Sequence, residues 1–198
     1  MTKINAAEAH IGTAVRMFFE GGHPVPIFML ANAAWEIVEQ IGSYTEVTTV
    51  QEELASDRGL AVDELLRPMK TIANFLKHAD RDPTATIEIE ENAVIMVLQL
   101  ACHDFGRITG GMPIEAQIYE AWATTIAFRK VSDAPLRKQE LIRKAIAHFP
   151  GIRSADSAGR RAIGLDVLNR AIRDPSLEMT FSREVVLPAK SNEPRGRL

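Results

Sequence analysis

Apolar residues return at helical spacing through most of the chain. Ile4, Ile11, Val15, Phe18 and Phe19 mark a first helix, which Gly21 and Gly22 end. Pro24 and Pro26 suit the first turn of a second helix, where Ile27, Leu30, Ala34, Ile37, Val38 and Ile41 form the most regular stripe. Its alanines, Ala31, Ala33 and Ala34, would admit a neighbouring helix at close range. Thr49 and Glu52 have the spacing of a capping box and open a short helix that Gly59 stops. Leu65, Met69, Ile72, Ala73 and Leu76 mark a fourth, with Pro68 near its start. Asp82–Pro83 should stop it, because proline disfavours helical geometry in the residue before it.

Ile87 and Ile89 alternate with Glu88 and Glu90, enough for a short extended piece but not for a sheet. Val94, Ile95, Leu98, Cys102 and Phe105 return to helical spacing, up to Gly110–Gly111. Pro113 begins the next helix, through Ile118, Ala121, Trp122, Thr125 and Phe128. Asp133–Ala134–Pro135 reads as the start of a basic helix holding Ile142, Ala145, Ile146 and Phe149, which Pro150–Gly151 breaks. Ser154 is the expected cap of a last helix running through Leu165, Leu168 and Ile172. The pattern predicts an all-α bundle of about seven or eight helices with a short extended segment and a flexible C-terminal tail. The expected division is a helical bundle over 1–130, a basic helical extension packed on it over 131–175, and a tail over 176–198.

Composition changes that picture little. Of the 198 residues, 46% are hydrophobic and 25% charged, the balance of a chain with an ordinary core. Cys102 is the one cysteine, which excludes an intrachain disulfide; on an apolar stripe it reads as a buried, inert thiol. No apolar run approaches bilayer-spanning length and MTKINAAEAH has no signal-like stretch, so the expectation is a cytoplasmic protein with no membrane contact. Charge is more telling. Residues 1–125 hold 8 Lys and Arg against 18 Asp and Glu, whereas residues 126–198 hold 15 against 8, so a half of −10 precedes one of +7. Such a split suits attraction between the halves, within one chain or across a homodimer formed through the alanine-rich face. Nucleic acid is a less favoured partner, because no aromatic residue stands among Arg160, Arg161, Arg170 and Arg173 to stack bases.

The densest charged stretch is NFLKHADRDP, residues 74–83. At about 100° per residue, Lys70, Asn74, Lys77, His78 and Arg81 share a helix face. The cluster Asn74, Lys77, His78, Asp80, Arg81 and Asp82 is the leading candidate site. In it His78 is the titratable group, Asp80 and Asp82 its carboxylate partners, and Lys77 and Arg81 an anion clamp. The plain alternative is a charged helix exit that braces a loop, since cations near a helix C-terminus are favoured by typically 0.3–1 kcal/mol each. This stretch and an earlier one, A-x-x-x-F-F-x-x-x-x-P-V from Ala14 to Val25, resemble an uncharacterised bacterial all-helical family with an N-F-x-K-H-A-D-R-D-P signature. The resemblance covers roughly residues 4–112 and implies a family built around that signature, with no activity attached to it.

Two further resemblances supply chemistry. HDFGR, from His103, is similar to the His-Asp motif of HD-domain phosphohydrolases, which are also all-α. In that family an earlier histidine, the His-Asp pair and a later aspartate hold one divalent metal that activates water against a phosphate. The resemblance implies His78, His103 and Asp104 as ligands, with Asp166 as the last. RKAIAH, Arg143 to His148, resembles the arginine–histidine pair of HEPN bundles, many of them ribonucleases or partners of nucleotidyltransferases. There Arg143 would hold an RNA phosphate while His148 moves the 2′-hydroxyl proton. This chain departs from that pattern with Lys144 after the arginine, and the two residues fall about 140° apart around a regular helix. The favoured expectation is therefore a non-catalytic interaction module or a binder of a small anionic ligand, with no cofactor. A divalent-metal hydrolase and an RNA-associated bundle stand as alternatives.

Overall fold

The computed structural model describes residues 1–45, 47–78, 83–128 and 130–177. Among them the chain is all-α, with eight helices: α1 (Lys3–Phe19), α2 (Pro24–Gly42), α3 (Val50–Arg58), α4 (Val62–Lys77), α5 (Glu91–Thr109), α6 (Ile114–Ile126), α7 (Leu136–His148) and α8 (Ser157–Ile172). The ends follow local chemistry. Thr2 and Asn5 form a capping box at α1, and His23 Nδ1 accepts the Val25 N–H to cap α2. Thr49 and Glu52 cap α3, and Gly59 and Gly110 end α3 and α5 in the left-handed conformation that costs glycine least. Residues 85–90 form no strand, and Ile87 and Ile89 pack partly buried against the core.

Three boundaries differ from expectation. Asp156, not Ser154, caps α8: its carboxylate accepts the Gly159 N–H at 2.7 Å, while the Ser154 hydroxyl turns back to Gly151 O. Pro68 stands inside α4, because Asp63 and Glu64 in the first turn start that helix earlier than its apolar stripe does. α4 also ends at Lys77, ahead of the expected stop at Asp82–Pro83.

α2 packs against both α1 and α5, while α6 and α8 close the other side of α1. The centre of that second layer is aromatic. Trp122 lies edge-on to Phe18 and Phe19 at centroid distances of 5.2 and 5.7 Å and stacks on Tyr119 at 5.8 Å. Both polar tips are satisfied, with Trp122 Nε1 donating to Arg160 O and the Tyr119 hydroxyl to Ile95 O. α8 reaches this layer only because Gly164 has no side chain: a Cβ there would fall 2.3 Å from the Phe19 ring. Phe149, Ile152, Val167 and Leu168 belong to the same apolar cluster as α1, α2 and α5. Residues 131–175 thus help build the core rather than only covering it. Ala31 and Ala34 are fully buried within the chain, so the face expected to meet a second copy is already covered. Acidic and basic halves meet at Glu91, which pairs with Arg161 at 2.7 Å and accepts from the Ser157 hydroxyl. Among the described residues no helix is long and apolar enough to cross a membrane; residues 178–198, most of the expected tail, lie outside the described residues.

Candidate functional site

α4 is strongly two-faced. Leu66, Met69, Ile72 and Ala73 are buried, and Arg67, Thr71 and Asn74 are exposed. His78 leaves the helix at φ −129°, ψ 64°, with its N–H still donating to Asn74 O at 3.0 Å. Asn74 and His78 are therefore linked through the backbone and are not two side chains on one helical face. Lys77 Nζ lies 2.7 Å from Glu36 Oε1 on α2, an oxygen that also accepts the Asn32 side-chain amide. That lysine straps α4 to α2. Asp80, Arg81 and Asp82, the rest of the expected cluster, lie outside the described residues.

The His-Asp dipeptide sits near the C-terminal end of α5, and its two side chains serve opposite neighbours. Asp104 is fully buried; its Oδ1 accepts the Val50 N–H at 2.8 Å, one of the donors that the first turn of α3 leaves without a helical partner. Trp35 of α2 turns its indole N–H toward the same carboxylate without reaching hydrogen-bonding geometry. Asp104 Oδ2, Trp35 Nε1 and Gln51 Oε1 are all buried with no hydrogen-bond partner among the described residues. Burial raises the Asp104 pKa to about 6, against the opposing pull of the Val50 N–H and the Arg107 charge. One turn on, Arg107 donates to Thr48 O at 2.8 Å and to Glu53 at 2.7 Å, which holds the Glu53 carboxyl below its ordinary pKa. Asp104 and Arg107 together fasten the start of α3 to α5.

His103 points the other way. Its Nε2 is 2.6 Å from Glu120 Oε2 on α6, with the imidazole 43% exposed and the carboxylate 13%. Burial lowers the His103 pKa, but the hydrogen bond and charge of Glu120 outweigh it and hold the imidazole above its ordinary value. Burial pushes Glu120 up, with His103 opposing. The pair can hold and exchange a proton at the surface. Cys102 beside it is fully buried, with its thiol pushed well up by desolvation, as an inert thiol should be.

The remaining candidates are apart from these. Asp166 is exposed on α8 and pairs with Arg170 one turn on; Arg143, exposed on α7, donates to Gln139. His148 ends α7 on the solvent side. Among the described residues no three His, Cys, Asp or Glu side chains stand where they could hold a metal ion.

Glu120, Glu53, Arg107 and Trp35 are the participants that sequence reasoning missed. For Glu120 a signal was present: it is the one acid among the small and aromatic residues from Ala116 to Ala123 that build the α6 core face. Glu53 carries no such mark, because its partner lies 54 positions away. Comparison of the chain with protein-family models, with curated proteins and with solved structures gives no match, so the candidate site rests on the geometry of its own residues.

Proposed function

We propose that this chain is a non-catalytic binding module, with the end of α4 as the surface that meets a small anion or an acidic segment of a partner. The observation that carries this reading is the split of the His-Asp dipeptide. His103 is engaged by Glu120 on α6 and Asp104 by the N-terminus of α3, so each has a structural partner on a different side of α5. The polar groups that remain accessible at a chain reversal are Asn74, Lys77 and His78, and the Glu36 that holds Lys77 is itself exposed enough to exchange for another anion.

Titration with inorganic phosphate, followed through the backbone amides of α4, tests it. Saturable shifts that His78→Ala and Asn74→Ala abolish without moving the melting temperature are the expected result. A lowered melting temperature with unchanged phosphate response would make the segment a brace and sink the proposal. Elemental analysis of protein purified without chelators or a histidine tag covers the hydrolase alternative. Near-stoichiometric manganese, iron or zinc that disappears in His103→Ala would replace the binding reading with a metal-dependent one.

A further inference from the structure

Away from α4 and α5, α1 and the start of α6 enclose an open groove of about 430 Å3. Small residues make room for it. Gly12 presents only backbone, and a Cβ there would come within 3.6 Å of the Glu115 carboxyl carbon; Pro113, at the N-cap of α6, supplies an apolar edge. The polar lining is Glu8, Thr13 and Arg16 from α1 and Glu115 from α6.

Glu115 is the focus. Its side chain is only 15% exposed, and Arg16 engages a single oxygen, Oε1, through Nε at 3.2 Å and Nη2 at 2.7 Å. A carboxylate offers about four acceptor positions, so Oε2 retains acceptor capacity toward the groove. Arg16 also fixes the carboxylate in place, which lowers the entropic cost of binding to it. Two carboxylates against one guanidinium leave the lining net negative, within the half of the chain that carries −10. No triad of metal-ligating side chains forms among the described residues, so the complementary cation is organic rather than a bare metal ion. We propose that this groove binds a primary ammonium on a short aliphatic chain, with Glu115 Oε2 accepting from the ammonium and the methylenes lying over Gly12 and Pro113. The other two ammonium donors would face the Thr13 hydroxyl and the Glu8 carboxylate. This site shares no helix with the anion surface at the end of α4, has the opposite sign, and does not depend on it.

The test is titration of the full chain with 1,4-diaminobutane, and with 1,4-butanediol as an uncharged match of the same length, following the α1 amides by NMR. Saturable shifts at Gly12 and Thr13 with the diamine alone are expected. Glu115→Gln should weaken the diamine about tenfold, the worth of one charge-assisted hydrogen bond. Arg16→Gln should tighten it, because both Glu115 oxygens become available and the groove gains negative charge. Thermal melts of both variants check that the fold is kept. The proposal is overturned if the diol shifts the same amides, if no α1 amide saturates with the diamine, or if Arg16→Gln weakens binding as Glu115→Gln does.

Discussion

Where α1 meets α6, Phe18, Phe19, Tyr119 and Trp122 interlock ring against ring, and the two hydrogen bonds present serve only to satisfy polar tips. Where α3 meets α5, the direct ties are the Asp104 carboxylate on Val50 N–H and the Arg107 guanidinium on Thr48 O and Glu53. The first contact is non-directional and sums many small dispersion and hydration terms. The second depends on a few oriented groups, and one of them is a carboxylate held out of water. The α3–α4 pair should therefore open separately from the rest, and the charged residues that look like chemistry in the sequence are, in large part, its attachments.

The largest expected effect tests the aromatic side of that contrast. Trp122→Ala removes the ring at the centre of the cluster and the hydrogen bond to Arg160 O. It should cost about 3–5 kcal/mol in urea unfolding. Amide exchange should quicken in α1, α6 and α8 together, since all three pack on that ring. A loss below about 1 kcal/mol, or faster exchange confined to α3 and α4, would break the comparison.

Much of this architecture was legible because it is local. The stripes of α1, α2 and α5, the capping box at Thr49 and Glu52 and the glycine stops each lie within a few residues, where helical geometry alone decides the pattern. The three misread boundaries are also local, and each turned on which of two capable groups captured a backbone donor or opened a first turn. At Asp156 against Ser154, the carboxylate stood three residues before Gly159, the spacing that a cap requires. The site was less legible for a different reason. His103 and Asp104 are neighbours in sequence, but successive helical positions are about 100° apart and face different helices. Nothing in a dipeptide tells which partner, α3 or α6, will lie on which side, so Val50 and Glu120 could not be named beforehand.

The second prediction sharpens the polar side. Folded, Asp104 holds its proton up to a pKa of about 6, against an ordinary value of 3.8 when unfolded. Between those values the folded state binds more protons than the unfolded state, so this group makes stability fall as pH rises through that interval and level off above it. The interval corresponds to on the order of 3 kcal/mol. Asp104→Asn keeps an oxygen for the Val50 N–H but removes the buried charge. It should abolish that fall and be the more stable protein at neutral pH in urea unfolding series taken from pH 4 to 7. Glu120 and Glu53 also titrate there, so the quantity to read is the difference between wild type and variant at each pH. Parallel curves would mean that the carboxylate is not desolvated at the α3–α5 contact.

The smallest effect separates the two faces of α5. Glu120→Gln leaves the size of the α6 side chain unchanged but removes the charge that keeps the His103 pKa up. Burial, which acts the other way and is the larger single influence, then prevails, and the imidazole titration followed by NMR should move below its ordinary value. The linkage has a definite sign. With Glu120 present, the raised His103 value contributes stability that is complete below the unfolded pKa of 6.5 and is lost as pH rises through the folded one. In the variant that contribution disappears, while exchange rates in α3 and α4 should stay as they are, because Asp104 and Arg107 are untouched. If His103 does not move, Glu120 is not what holds its proton. If α3 and α4 loosen as well, the two faces of α5 are coupled, and a proton taken at the exposed imidazole would be felt at the attachment of the α3–α4 pair.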